Sequence, residues 1–570
     1  MGTDYLLVHV KYTVPPAVLL SILYRPLQTR LDTCKILFLL AIAVLSTIPW
    51  DSYLIANNVW TYPPGAVIGL TLFRIPIEEL FFFFVQTYIT TLIYLLVNKA
   101  TVHAAYLTEI NDSAKAQVTK LRVAEAAGAV LLAGLLFEAA DMVRSGGEGT
   151  YMGLLGVWAG PFLLGLWVLA YRHILSLPLP NTLVPALLPT VYFWVVDTLA
   201  LRRGTWAITP GTKLNYQPWP HMEIEEVVFF LTTNVLITFG LVCFDYAVAL
   251  TTAFPSLFPE SQPPLHKQLL FGISALFTCK FPRDAYHSLP ECIAILRAKS
   301  RSFYLASGVF EGRLRLDLIS LYSFCRAADD LIDDSPTPAQ SLERLRLLLE
   351  IIYTPSRADT KEGFVRSMFP AWAHTPLLAL PSQHIPRKLL DELLDGFEMD
   401  MGFSSVGNWP IATYSDLERY AHYVAGTVGE MFTHLVLAHS FSSVSSPSHI
   451  LADAEKMGRA LQYVNISRDI RKDAAMHRVY VPAAWLKEAR FTPEDVVRRP
   501  EVGERFRGRL LEKAEVLYRE SRAAIEQLPV EARGGARVAV EAYMDIGRRL
   551  GMRRQSKLER AARAWSVMRR

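Results

Sequence analysis

Two short acidic rows hold the residues whose types and spacing most directly imply chemistry. Asp329, Asp330 and Asp333 stand within Cys325–Asp334, and Asp329 and Asp333 are four apart, so a helix places both on one face. Asn465, Asp469 and Asp473 repeat that spacing over two turns. Two such rows of hard oxygen ligands suit Mg²⁺ or Mn²⁺ bound jointly with substrate phosphates. Arg326, Arg468, Arg471 and Arg478 add cations beside the acids, as binding of an anionic diphosphate requires. Loss of diphosphate from an allylic carbon leaves a carbocation that must be kept from water. Phe303, Tyr304, Tyr322, Phe324 and Tyr480 are candidates to line the pocket.

A second group of acids has different surroundings. Glu78-Glu79 and Glu225-Glu226 each follow an isoleucine and open a Phe-rich apolar stretch. Ionisable residues at the edge of hydrocarbon are expensive and mark functional sites. A carboxylic acid beside an apolar pocket can protonate an alkene, and a neighbouring carboxylate can remove a proton from the resulting carbocation. The rings of Phe81–Phe84, Phe229 and Phe230 are suited to shield that cation. Asp51, Asp197 and His221 are expected to act as helix caps or interface hydrogen-bonding groups.

The elements that must position these residues follow from hydropathy. The chain has 570 residues, a net charge of +4, 20% charged residues and a mean hydropathy of +0.23. The near-balanced charge gives no sign of a nucleic-acid partner. Long uncharged apolar runs fill the first 250 residues and charges crowd the remainder, the pattern of a membrane half joined to a soluble half. Five runs are free of acidic and basic residues: 36–50, 80–97, 151–171, 174–196 and 227–244. Residues 12–24 supply a first, short span. Residues 121–143, interrupted by Glu125, Glu138 and Asp141, supply a fourth, for seven in all. Arg25, Arg30, Lys35, Lys99, Lys115, Lys120, Arg122 and Arg172 then share one side. Arg74, Arg144, Arg202, Arg203 and Lys213 lie on the other, so the former loops and the C-terminal half face the cytosol. The opening Met1-Gly2-Thr3-Asp4 lacks the basic start of a cleaved signal peptide.

The membrane half repeats itself. Asp51, Trp60 and Pro64-Gly65 recur as Asp197, Trp206 and Pro210-Gly211 at an offset of 146, and Ile77-Glu78-Glu79 recurs as Ile224-Glu225-Glu226 one residue further on. Two three-helix units joined by the fourth span point the same way, so both glutamate pairs share a membrane face. Thr251–Leu265, with Pro255, Pro259, Pro263 and Pro264, reads as a linker within 251–270, separating domains at 1–250 and 271–570. Beyond it the apolar period is helical, with no convincing alternating strands, so the fold class is all-α throughout. Gly426 and Gly429 allow a close helix approach or a break in the wall of an apolar tunnel. The five cysteines show no disulfide or zinc spacing. No strand leads into G-x-G-x-x-G, and the Gly146–Gly153 cluster reads as a loop.

Pro76-Ile77-Glu78-Glu79 and His221–Glu226, set in two three-helix repeats, resemble the membrane-embedded lycopene cyclases of fungi and some bacteria and archaea, over roughly residues 1–245. That resemblance implies closure of lycopene ψ-ends to β-rings, giving γ- or β-carotene, without a flavin or dinucleotide fold. It makes Glu78, Glu79, Glu225 and Glu226 the catalytic candidates, with no cofactor evident. Replacing Glu78 or Glu225 by Gln is then expected to abolish cyclisation and spare the other half. Glu223 stands where the first repeat has Pro76.

From residue 290 to 560 the order of motifs resembles the head-to-head prenyl synthases, and phytoene synthase most closely. This implies an all-helical isoprenoid synthase fold that condenses two geranylgeranyl diphosphates through a cyclopropyl diphosphate. By that resemblance Asp329, Asp330, Asp333, Asn465, Asp469 and Asp473 hold metal, and Tyr322, Arg326 and Tyr480 are catalytic. Ser300, Phe303, Arg468, Arg478 and Tyr543 contact substrate. Ser467 replaces the leucine many members carry. Squalene synthases share the acidic rows but reduce their intermediate with NADPH and end in a membrane anchor. Gly551–Arg570 is read here as basic and helical with no apolar span. Domain order, repeat and linker together resemble the fungal bifunctional lycopene cyclase/phytoene synthases. Lycopene, geranylgeranyl diphosphate, the lipid bilayer and a phytoene desaturase acting between the two steps are the expected partners.

Overall fold

The structure is a computed structural model and describes residues 2–107, 115–254, 265–278, 288–403, 407–440 and 446–550, with 559, 566 and 567. Half of the 251–270 linker (255–264) and nearly all of residues 551–570 lie outside these. The chain divides into two compact units, Met1–Tyr286 and His287–Arg570. The helix Leu265–Thr278, which straddles the expected linker and second domain, packs against Ile224–Ala253 within the first unit.

Among the described residues, seven helices of the first unit are long and apolar enough to cross a membrane: Asp4–Leu27, Arg30–Ala56, Ile77–Asn98, Thr119–Ser145, Gly147–Ser176, Leu179–Arg203 and Ile224–Ala253. They are spans 1 to 7 below. Two differ from the sequence expectation. Span 1 starts eight residues earlier, through a π-helical turn at His9–Thr13. The run 174–196 is cut by Pro178: Leu177 ahead of it is extended (ψ 149°), so span 5 ends at Ser176 and span 6 begins after the proline. Span 4 docks on span 5 through small residues. A Cβ on Gly156 would stand 2.5 Å from that of Ala139, so the two helices approach closer than any larger residue allows.

The two repeats meet about an approximate two-fold axis. Strands β1 (Trp60–Thr61) and β4 (Ala207–Ile208), one from each repeat, pair antiparallel with Thr61 opposite Ala207, its own counterpart at the 146 offset. Deeper in the bundle Gln86 Nε2 donates to Thr233 Oγ1 at 2.8 Å, again counterparts, now at 147. A hairpin of β2 (Thr71–Leu72) and β3 (Ile75–Pro76) turns through Phe73 and Arg74, both with positive φ, and delivers Glu78 and Glu79 to the first turn of span 3. The opposite end of the bundle is pinned by buried ion pairs, Lys35–Asp245 at 2.5 Å and Lys99–Asp32 at 2.7 Å.

The described residues of the second unit contain helices and no strand. Its core runs from Leu345, Leu348 and Leu390 through Leu394 to Tyr463 and Val464. Two helices carry the acidic rows, Gly312–Asp333 and Pro447–Ala475. Of the two roles open to Gly426 and Gly429, close approach fits the packing: a Cβ on Gly429 would fall 2.3 Å from the Ala454 carbonyl oxygen.

Candidate functional site

In the first unit, the ends of spans 2 and 6 and the starts of spans 3 and 7 converge on one cavity. Asp51, Glu79, Asp197 and Glu226 line it with Trp50, Trp60, Trp206, Phe82, Phe83, Phe229 and Phe230. All four acids are buried. Their hydrogen bonds come from neutral donors. The Tyr5 and Tyr62 hydroxyls both donate to Glu79 Oε2 at 2.7 Å, and Tyr151 donates to Glu226 Oε1 at 2.8 Å. Trp206 Nε1 donates to Asp197 Oδ1 at 3.0 Å. Asp51 Oδ2 is buried without a hydrogen-bond partner. Among the described residues no lysine or arginine forms an ion pair with any of the four.

The structure separates each glutamate pair. Successive helical residues point about 100° apart, and of each glutamate pair it is the second that lines the cavity. Glu78 Oε1 accepts the Ile68 N–H at 2.8 Å and Glu225 Oε1 the Leu214 N–H at 2.6 Å. Each holds a loop against its repeat. Asp51 and Asp197 are not caps; they complete the cluster. His221 is exposed on the turn joining Trp219 to Met222. Of the phenylalanine run, Phe82 and Phe83 line the cavity, while Phe81 and Phe84 are 39% and 42% exposed on the apolar flank. Glu223 is taken up by Lys213 at 2.6 Å and Gln217 at 2.8 Å.

In the second unit the acidic rows meet arginines and a third acid. Arg478 binds Asp333 at 2.5 Å across from the second row, and Arg326 pairs with Asp329 at 3.0 Å and with Asp330. Lys299 holds the other Asp330 oxygen at 3.0 Å, so both oxygens of that carboxylate are engaged by cations. Arg468 grips Asp469 with two bonds, at 2.8 and 2.6 Å. Arg471 does not join them; it pairs with Glu501 and Glu504 on the exterior. Burial and the adjacent Asp333 carboxylate push Asp329 up to about 6, and burial with Asp469 pushes Asp473 up to about 7.

Asp400, on the helix Arg387–Met401, is the acid that sequence spacing misses. Tyr480 donates to its Oδ1 at 2.7 Å and Tyr420 to its Oδ2 at 3.0 Å. Burial raises it to about 7 against those bonds, and the field of Asp329 adds to the rise. The aromatic side of the site is Phe303, with ring centroids 6.0 Å from Tyr322 and 5.2 Å from Tyr543. The Ser300 hydroxyl lies within reach of both tyrosines, and Arg468 of Tyr543. Phe324 is fully buried in the core instead, and Tyr304 lies under Arg297, 5.9 Å from the guanidinium. The arrangement fits a divalent cation on two grounds. One carboxyl in each row, Asp329 and Asp473, is pushed up by burial and a neighbouring carboxylate, and Asn465 Oδ1 is buried with no hydrogen-bond partner.

The sequence profile of the squalene/phytoene synthase family matches residues 296–569, and that of lycopene cyclase matches residues 4–97. A bifunctional lycopene cyclase/phytoene synthase of Gibberella fujikuroi is 46% identical over 588 residues, covering 100% of both chains. One from Phaeosphaeria nodorum is 48% identical over 99% of this chain and 97% of its own. The chain belongs to the bifunctional lycopene cyclase/phytoene synthase family. Another such protein, from Leptosphaeria maculans, is 48% identical over 96% of this chain and 95% of its own. Among solved structures, a dehydrosqualene synthase in complex with ligand covers 50% of this chain and 95% of its own, at 25% identity and a TM-score of 0.39. The lycopene cyclase match spans the first repeat, including Tyr5, Asp51 and Glu79. The synthase match contains every residue of the second site from Ser300 to Tyr543.

Proposed function

We propose that the second unit condenses two geranylgeranyl diphosphates head to head into phytoene, and that the first closes lycopene ψ-ends into β-rings. The observation that carries this reading is the contrast between the acids. One set shares an aromatic cavity with neutral donors only, and the other is interleaved with arginines and a buried, unpaired amide oxygen.

In the first unit, one carboxylic acid of the Glu79–Glu226 pair donates a proton to the terminal double bond of a ψ-end. The tertiary cation is attacked by a double bond further along the chain, which closes the six-membered ring. A neighbouring carboxylate removes a proton from the ring and leaves the β-ionone double bond. One proton enters and one leaves, so no redox partner is consumed. Tyr5, Tyr62 and Tyr151 orient the carboxyls, and the rings of Trp50, Phe83 and Phe229 face the cation.

In the second unit, Asp329, Asp333, Asn465, Asp469 and Asp473 would hold Mg²⁺ or Mn²⁺, which neutralises the diphosphate and makes it a leaving group. Asp330 acts through Arg326 and Lys299. Arg326, Arg468 and Arg478 bind diphosphate oxygens, and Phe303, Tyr322 and Tyr543 exclude water from the allylic cation. Tyr480 and Tyr420 fix Asp400 between the rows. Condensation breaks two C–O bonds and releases two diphosphates and two protons per phytoene, one proton as the cyclopropyl intermediate forms and one as it opens to the product. The protein lies in the bilayer with its synthase unit on the cytosolic, more basic side, and a desaturase converts phytoene to lycopene between the two activities. Membranes carrying the full chain are the test. Geranylgeranyl diphosphate with Mg²⁺ and no NADPH should give phytoene, and added lycopene should give cyclic carotenes. A reduced C40 product formed only with NADPH would overturn the synthase reading. Unchanged lycopene would overturn the cyclase reading.

A further inference from the structure

The acid cavity is small, about 20 Å³, and cannot hold a polyene. Beside it lies a second cavity of about 360 Å³ among spans 2, 3, 5 and 7 and the helix Leu265–Thr278, and Phe83 and Phe229 line both. A ring stack joins the two. Trp158 in the larger cavity lies 4.6 Å from Trp50 in the smaller, and Trp50 lies 5.8 Å from Phe229, with interplanar angles of 17° and 8°. The larger cavity is lined mainly by apolar side chains, and several of its polar groups are engaged within the bundle: Ser46 and Thr47 donate to the Ala43 carbonyl, and Gln86 donates to Thr233. Its rim residues Phe38, Ile42 and Phe162 are 40 to 47% exposed on helices long enough to span hydrocarbon, so it opens towards lipid.

The two-fold repeat calls for a mirror cleft on the other flank, and the sequence closes it. At the offset of 146, Ala43, Ser46 and Thr47 correspond to Pro189, Tyr192 and Phe193. At 147, Gly240 corresponds to Ile93. At these four positions small residues border the cleft and larger ones stand in its counterpart. Phe193 is fully buried, 5.6 Å from Phe82 and 5.8 Å from Phe230, and Tyr192 donates to the Tyr12 carbonyl at 2.5 Å.

We propose that the cleft bounded by Ala43, Thr47, Trp158 and Gly240 holds the polyene chain of the cyclase substrate. One ψ-end lies at the Phe83–Phe229 wall, and because the opposite flank is filled, the two ends of a C40 chain are served in separate binding events. This rests on the lycopene-cyclising reading of the first unit.

The closed flank supplies the test, because Thr47→Phe and Gly240→Ile introduce residues the repeat already accommodates. In full-length chain, both should cut ring formation at least tenfold with phytoene output and membrane yield at parental levels. Gly240→Ala, whose Cβ would stand 3.1 Å from Leu39 Cδ1, should fall between. Leu188→Phe, at the counterpart of Ile42, should change nothing. Quenching of tryptophan fluorescence by lycopene in lipid nanodiscs gives a readout independent of chemistry. It should be strong in the parent and lost in Thr47→Phe. Parental quenching and ring formation in both plugged variants would overturn the cleft. A parent that quenches but closes no ring would leave the cleft standing and sink the cyclase reading instead. In a time course, free monocyclic product should appear first; bicyclic product with no free monocyclic precursor would overturn the single-end arrangement.

Discussion

Carboxylates dominate both sites, yet their neighbours differ in kind. In the first unit Asp51, Glu79, Asp197 and Glu226 meet tyrosine hydroxyls, an indole N–H and aromatic faces. In the second unit Asp329, Asp333 and Asp469 meet guanidinium groups at 2.5 to 3.0 Å. A carboxyl among neutral donors can give or take a proton within its cavity. A carboxylate row interleaved with guanidinium groups instead gathers anions and metal around it, with metal binding displacing the protons that crowding favours. The same side chain is thus made an acid–base group or an ion-binding group by what packs beside it.

Removing divalent metal should separate the two most completely. A chelator should abolish phytoene formation and leave the closure of supplied lycopene unchanged, as product assays on one membrane preparation will show. A chelator-sensitive cyclase would break the contrast. Next in size, Glu79→Gln or Glu226→Gln should lower cyclisation by about 10³-fold, within the range of lost general acid–base catalysis, with phytoene output intact. The pH response sharpens the comparison further. Asp329 and Asp473 stand above the ordinary carboxylate range, at about 6 and about 7, so they take up protons as pH falls through that window. Metal requires them deprotonated, so Mn²⁺ affinity, followed by paramagnetic resonance, should fall about tenfold per pH unit below 6 for each proton displaced. With chelator present the sign reverses for stability: raised carboxyl groups favour the folded unit at pH 5.5 relative to 7.5. Tyr151→Phe deletes one hydrogen bond to Glu226 and should slow cyclisation about five- to tenfold, as a bond worth about 1 to 1.5 kcal/mol implies. Smallest of all, Glu78→Gln should change ring formation less than twofold and show itself mainly as lower thermal stability, because its oxygen binds a loop amide rather than the cavity.

Much of this was legible before any coordinates. The acidic rows, seven spans and the 146-residue repeat are patterns of type and spacing, and a helix converts spacing directly into shared faces. What escaped depended on direction or on distant chain segments. Glu78 and Glu79 are equivalent by composition, and only the hairpin that starts span 3 decides which faces inward. Tyr5 and Tyr151 bind the two cavity glutamates and stand 146 residues apart, so the repeat contained their signal. Tyrosines near a span end are common, so residue type alone does not set these two apart. Asp400 has no partner at helical spacing on the metal face; Asp395 and Glu398 nearby make it look like a solvated helix surface, and tertiary packing alone brings it to Tyr480. Pro178 lies inside the uncharged run 174–196, where hydropathy alone does not register the break it makes.

The pairing of Thr61 with Ala207 has a wider consequence. A residue that meets its own counterpart across an axis makes an isologous contact, the kind that joins two identical subunits in a C2 dimer. The first unit is in that sense a dimer written as one chain, with span 4 as its tether. Two separate copies of one gene product must change together at every position. A tethered pair need not, so one flank can keep alanine, threonine and glycine while the other takes proline, phenylalanine and isoleucine. Symmetry builds the shared acid chamber, and covalent linkage gives the chamber a single door.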